Sequence, residues 1–287
     1  MARVVYVNGH YQDYAHAGVH AEDRGFQFGD AVYEVMEVKG GHLVDETRHM
    51  ARLVRSLDEL GIAQPMTLAS WSRVLRETIR RNRVRDGIVY LQVSRGARPR
   101  DFYYPGPDVA PTVVVLARRA EKAKADAQAE KGIGVITTPD IRCGRCDIKT
   151  VMLLPASMAK EKAKAQDAKE AWFVDEKGFV TEGGSSNAWI IDRNGRLVTR
   201  ATDASILPGI TRMAVLDLLK REGLELEIRP FTVEEAKAAR EAFITSATNH
   251  VMPVVRIDGA PIGNGAPGLM SQKLRSLYYE AAEISSS

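Results

Sequence analysis

Apolar and polar residues alternate through the first 45 residues. "RVVYVNGHYQDY" turns at Asn-Gly and "AVYEVMEVKGGHLV" turns at Gly-Gly, a pattern that predicts hairpins. The period then changes. In "TRHMARLVRSLDELGI", Met50, Leu53, Val54, Leu57 and Leu60 recur at three-and-four spacing, and Trp71, Leu75 and Ile79 do the same in "LASWSRVLRETIRRNRV", so two helices follow. Strands resume with "GIVYLQVSRG" and "PTVVVLA". The stretch "RRAEKAKADAQAEKG" is charged and Ala-rich without an apolar stripe, as expected of an exposed helix or linker. It divides the chain into a domain over 1–120, a linker over 121–131 and a second domain over 132–287.

The second domain opens with a strand, "GIGVITTPD", and a segment leading into an apolar run read as a strand. A helix, "PASMAKEKAKAQDA", and strands joined by Glu-Lys-Gly and Arg-Asn-Gly turns come next. "TRMAVLDLLKREG" is an amphipathic helix with Gly223 suited to end it. A short helix at "TVEEAKAAR", strands "EAFITSA" and "PVVRIDG" with an Asp-Gly turn, and a helix over "GLMSQKLRSLYYEAAE" complete the order.

Composition narrows the class. At 287 residues two domains are the expectation, and 45% hydrophobic with 27% charged residues is the balance of a folded globular protein. The formal charge is only +3 and the basic residues are spread along the chain, so no nucleic-acid footprint is expected. No apolar run approaches the roughly 20 residues that span a bilayer. The first residues, "MARVVYVNGHYQDY", turn polar too early for a secretory signal, and the expectation is a cytoplasmic protein. The only cysteines, Cys143 and Cys146, are too few for a four-thiolate zinc site or a disulfide framework, and no metal is expected.

Candidate chemistry centres on "CGRCDIKTVMLLP", residues 143–155. The Cys-x-x-Cys lies mid-chain, outside the helix-start context that activates a redox thiol, and reads as two ordinary packed thiols. Lys149 stands beside an apolar stretch, where desolvation would make its amine a usable nucleophile. A carbonyl cofactor held by lysine also needs an acid for its ring nitrogen and a cradle for its phosphate. Glu182 in "VTEGGSSN" is a candidate for the first. The start of the helix after "ILPGIT", with the amides of Ile210 and Thr211 and the Thr211 hydroxyl, is a candidate for the second.

Taken in order, "FGDAVYEV" (28–35), "HMARL" (49–53), "RGARPR" (95–100), "CDIKTVMLLP" (146–155), "VTEGGSSNAWII" (180–191) and "ILPGITR" (206–212) resemble the fold-type IV pyridoxal-phosphate enzymes, and among them the D-amino-acid transaminases. The resemblance implies an α+β or α/β chain of two domains, a smaller N-terminal α/β sandwich and a larger C-terminal pseudo-barrel. It also implies a homodimer with active sites between the domains. By it Lys149 is the Schiff-base lysine and the acid/base that moves the proton between substrate Cα and cofactor C4′, and Glu182 holds the pyridinium nitrogen. Arg52, Ile210 and Thr211 hold the phosphate. Tyr33 and Arg100 bind the α-carboxylate of a D-amino acid or 2-oxo acid, a task that suits a guanidinium fork.

The implied reaction is ping-pong transamination of D-amino acids such as D-alanine and D-glutamate with 2-oxoglutarate or pyruvate. The same-fold alternatives are a branched-chain L-amino-acid transaminase and an aminodeoxychorismate lyase. Two positions depart from the family pattern. Phe102 stands where these transaminases commonly carry a carboxylate-binding histidine, and Ala247 where relatives often have a phosphate-binding threonine, with Thr248 adjacent as a substitute.

Overall fold

Left-handed backbone at Asn8-Gly9, Gly40-Gly41 and Asp258-Gly259, with φ from 44° to 95°, closes three two-residue hairpins. Glycine reaches these angles without strain, and Asn and Asp tolerate them better than other residues. The computed structural model describes residues 3–285 and divides into two compact units. Among the described residues the first comprises 3–122, 148–152 and 283–285, and the second 123–147 and 153–282.

The first unit is built on one antiparallel sheet in the order β2-β1-β6-β5-β3-β4. Its strands are β1 (Val4–Val7), β2 (His10–Asp13), β3 (Ala31–Lys39), β4 (His42–Leu43), β5 (Gly87–Ser94) and β6 (Thr112–Arg119). The helices are α1 (Arg24–Phe28), α2 (Glu46–Leu60) and α3 (Leu68–Arg81). The three-and-four apolar positions of α2 and α3 join one face of the sheet in a single core, with Leu53, Leu57, Trp71 and Leu75 against Met36, Val89 and Leu91. Burying each such side chain is worth about 1.5–3 kcal/mol. Because strand residues alternate, β3 turns Val32, Glu34, Met36 and Val38 into that core and Tyr33, Val35 and Glu37 to the opposite face.

Helix α4 (Lys122–Lys131), all but its first residue in the second unit, makes the stretch expected as an exposed helix or linker helical, with Ala129 buried. Its strands are β7 (Ile133–Pro139), β8 (Glu170–Val174), β9 (Val180–Gly183), β10 (Asn187–Ile191), β11 (Leu197–Thr199), β12 (Leu226–Ile228), β13 (Glu241–Ser246), β14 (His250–Ile257) and β15 (Ala260–Pro261). The sheet runs β12-β11-β10-β13-β14-β7-β8-β9, with β15 paired to β14. Its last strand, β9, passes through a short turn directly into β10, the third member of the same path, so the sheet curls back on itself. The helices are α5 (Leu154–Ala165), α6 (Ile210–Arg221), α7 (Val233–Lys237) and α8 (Leu269–Ala281). Every residue of β10 is buried: Ala188 and Ile190 face the core with Trp172 and Phe231, while Trp189 and Ile191 face that of α6 and α8.

The apolar run after Lys149 is not the expected strand. Only Thr150 pairs, in an isolated bridge to Val32, and Met152, Leu153 and Leu154 are on the surface, Leu154 at 71% exposure. The run leads into a helix, Pro155 occupying its first turn.

Candidate active site

Four of the candidate residues lie in the first unit. Lys149 is held by backbone pairing with the open edge of β3: Tyr33 N donates to Lys149 O at 3.0 Å and Val151 N to Ala31 O at 3.1 Å. That edge is available because β4 pairs only with the far end of β3, at Val38 and Lys39. The lysine Nζ sits 4.2 Å from the centre of the Tyr33 ring, within cation–π range. Tyr33 in turn stacks on Tyr90 at 5.6 Å, and burial together with Tyr33 pushes the Tyr90 phenol up to about 12. Lys149 thus meets an aromatic face, and the exposed Met152, Leu153 and Leu154 do not supply the expected desolvation.

Arg52 lies in a buried polar cluster. From α2 its Nε and Nη2 each donate at 2.8 Å to the two oxygens of Glu34, and His49 Nδ1 lies 2.7 Å from Glu34 Oε2. Glu34 is fully buried. Burial acts to raise its pKa, but the Arg52 charge and the bonds from Arg52 and His49 outweigh it and hold the carboxyl at about 2. Burial lowers the His49 pKa, against the pull of Glu34. Arg100 is exposed, its guanidinium 4.6 Å from the Phe28 ring centre and 5.5 Å from that of Phe102, which is 80% exposed. Among the described residues no contact joins Arg100 to Tyr33.

Glu182, Ile210, Thr211 and Thr248 lie in the second unit. Glu182, at the end of β9 and 6% exposed, is held on both oxygens: Arg142 Nη1 donates to Oε1, and Asn187 Nδ2 (3.0 Å) and the Leu207 amide (3.1 Å) donate to Oε2. Asn187 also bonds Leu207 O at 2.9 Å, which ties the acid to the segment entering α6. There Gly209 is the N-cap, and a side chain on it would overlap Asn187 Oδ1.

The start of α6 has donors without acceptors. Gly209 offers no capping oxygen, so the amides of the first turn lack the usual side-chain acceptor. Two buried donors at this turn, Thr211 Oγ1 and Arg212 Nε, are also without a hydrogen-bond partner. Buried polar atoms are seldom left so, and this set fits an anion such as a phosphate. Thr248 is exposed in the turn between β13 and β14, and no contact among the described residues joins it to Glu182 or α6.

Arg142, outside every motif considered above, is the cation that meets this acid, and Asp140 holds that cation in place. Asp140 takes both Arg142 Nε (2.9 Å) and Nη2 (2.7 Å) and accepts from Thr181 Oγ1 at 2.7 Å. Burial works to lower the Arg142 pKa, but the Asp140 bonds and the Glu182 charge reverse this and raise it. Irregular backbone carries both residues, so no periodicity marks them. Asn187 falls within a quoted motif, and its part is set by the turn from β9 into β10. For Cys146, burial first, then the nearby Glu182 and Asp140, push the thiol up to about 12 against the pull of Arg142. Such a thiol is not a redox nucleophile.

A curled sheet with an acid beside a helix start that lacks a side-chain cap, and a lysine seated on an aromatic strand residue, agree with the fold-type IV class of aminotransferases. The amino-transferase class IV family model matches residues 31–257, and the chain belongs to that family. It is 40% identical over 272 residues to the D-alanine aminotransferase of Bacillus licheniformis, covering 95% of this chain and 94% of that one. It is 36% identical over 284 residues to the D-alanine aminotransferase of Staphylococcus haemolyticus, covering 99% of both.

Among solved structures, the branched-chain amino acid aminotransferase of Escherichia coli superposes with a TM-score of 0.88 at 22% identity, covering 98% of this chain and 95% of that one. The T.th. branched-chain amino acid aminotransferase with pyridoxamine 5'-phosphate gives 0.87 at 26%, covering 98% and 94%. The protein is a pyridoxal-phosphate-dependent aminotransferase.

Proposed function

We propose that the chain transfers the amino group of D-amino acids, D-alanine among them, to 2-oxo acids such as 2-oxoglutarate and pyruvate. The observation that carries this is the 32–40% identity to D-alanine aminotransferases over nearly the whole chain. The branched-chain enzymes share the shape but only 22–26% of the residues.

Bound pyridoxal phosphate supplies the electron sink that acidifies the substrate Cα–H and carries the amino group between substrates. Lys149 is its covalent anchor. Once released, Nζ takes the proton from the substrate Cα, and the Tyr33 ring beneath it limits where the amine can go. Glu182, oriented by Arg142, Asn187 and Leu207, is the partner of the ring nitrogen. Ile210, Thr211 and Thr248, with Arg52, are assigned to the phosphate, the unpartnered Thr211 hydroxyl being the direct support. Tyr33 and Arg100 are assigned to the substrate carboxylate. The same reading includes a cytoplasmic homodimer.

Visible absorption of the protein loaded with pyridoxal phosphate tests this. D-Alanine should bleach the cofactor band and L-alanine should leave it, while Lys149→Ala should respond to neither. Bleaching by L-amino acids alone would sink the D-specific reading, and a response retained in Lys149→Ala would remove the lysine from its role.

A further inference from the structure

Arg73, Arg76, Arg80, Arg83, Arg85 and Arg119 line one cavity of about 750 Å³ in the first unit. Five of them fall between residues 73 and 85, and the fold adds Arg119. Helix α3 presents Arg73, Arg76 and Arg80 along one face, its connection to β5 adds Arg83 and Arg85, and the end of β6 adds Arg119. Ile79 and Val84, each 3% exposed, give an apolar floor, and Gly41 and His42 of the β3–β4 hairpin close one side.

Local structure accounts for some of these cations. Arg76 pairs with Glu46 at 2.9 Å, Arg80 takes both oxygens of Glu77 at 2.7 Å, and Arg119 Nη2 donates to Arg83 O at 3.2 Å. The exposed side chains of Arg73 and Arg85 have no hydrogen-bond or ion-pair partner among the described residues. Six guanidiniums against Glu77 and Glu46 leave a concave wall of positive potential, which gathers anions. A guanidinium fork matches phosphate oxygens two at a time. The volume is that of a small-molecule site and exceeds the needs of a single phosphate.

We infer that this cavity binds an organic polyphosphate of the nucleotide class. Its phosphates bond Arg73 and Arg85 within the field of the neighbouring guanidiniums, and its ring lies on the Ile79 and Val84 floor beside His42. Concavity and a formal charge of only +3 over the whole chain favour a small ligand over a nucleic-acid strand.

The test is titration calorimetry of the cofactor-saturated protein with ATP at about 150 mM salt, where exposed long-range attraction is screened. Saturable binding at one site per chain is expected, weakened at least about tenfold in Arg73→Ala/Arg85→Ala, since each lost charged hydrogen bond is worth about that much. Tripolyphosphate should displace ATP and adenosine should not. The double variant should keep full transaminase activity, which shows that it is folded. No saturable binding, equal affinity in the variant, or displacement by adenosine alone would overturn the inference. So would a single-stranded oligonucleotide that binds these arginines and resists displacement by ATP.

Discussion

At the scale of single residues, Arg142 shows how a group without a motif can govern one that has it. Glu182 sits in a stretch of small residues that marks it in the sequence, yet its orientation depends on a guanidinium clamped by Asp140. Replacing Arg142 by Met would leave two carboxylates facing each other without their cation. The loss of folding stability should be about 3 kcal/mol, as for one partner removed from a buried pair, measured by urea unfolding. Arg142→Lys should recover part of it, because a single ammonium can meet one carboxylate but not fork between two. Lys149 carries the complementary lesson. Its neighbours in sequence suggest desolvation by an apolar run, whereas its neighbours in space are the Tyr33 ring and the β3 backbone.

At the scale of elements, α6 is legible as an amphipathic helix from its period, and its start from Gly209 and Thr211. The sequence could not show that its first turn leaves a buried hydroxyl unpaired, because pairing depends on what the fold brings near. This makes a prediction of opposite signs. Thr211→Val removes an unsatisfied hydroxyl of nearly the same shape, so the cofactor-free protein should be unchanged or more stable by up to about 1–3 kcal/mol. Cofactor affinity should fall about tenfold for the lost bond. Thermal melts without cofactor and a cofactor titration separate the two effects, and equal losses in both would refute the phosphate assignment of Thr211.

At the scale of the whole molecule, the chain does not divide at one point. Residues 148–152 and the segment from Glu283 join the first unit although the second unit lies between them in sequence. Asp45 N bonds Glu283 O at 2.9 Å and Ser285 N bonds Leu43 O at 3.0 Å, closing that unit with the end of the chain. A boundary read from composition near residues 120–130 marks where α4 begins but not these returns.

The buried Glu34–Arg52–His49 cluster sets how this unit meets acid. Glu34 is depressed from 4.5 to about 2, so its stabilisation is complete above pH 4.5 and is lost as pH falls towards about 2. His49 is lowered from 6.5, so the unfolded chain binds the extra proton and stability begins to fall below pH 6.5. Both act in the same direction. Urea midpoints should therefore decline from about pH 6.5 downwards, with a steeper drop below pH 4.5 that Glu34→Gln reduces, the lowered Glu46 and Glu77 carboxyls supplying the rest. A flat profile between those values would show that His49 is not buried in its neutral form.

The sequence by itself determined the local elements, because the periods of 2 and 3.6 and the left-handed turns at Asn-Gly, Gly-Gly and Asp-Gly are properties of the chain's own geometry. It also determined the family, since short motifs keep their order along the backbone. Tertiary structure alone decided which charges meet: Arg142 with Glu182, Arg52 with Glu34, and the arginines around the α3 cavity. The physical reason is that electrostatic and hydrogen-bond energies depend on distance in space and on burial. Burial follows the local period, but the distance between charges on different elements does not.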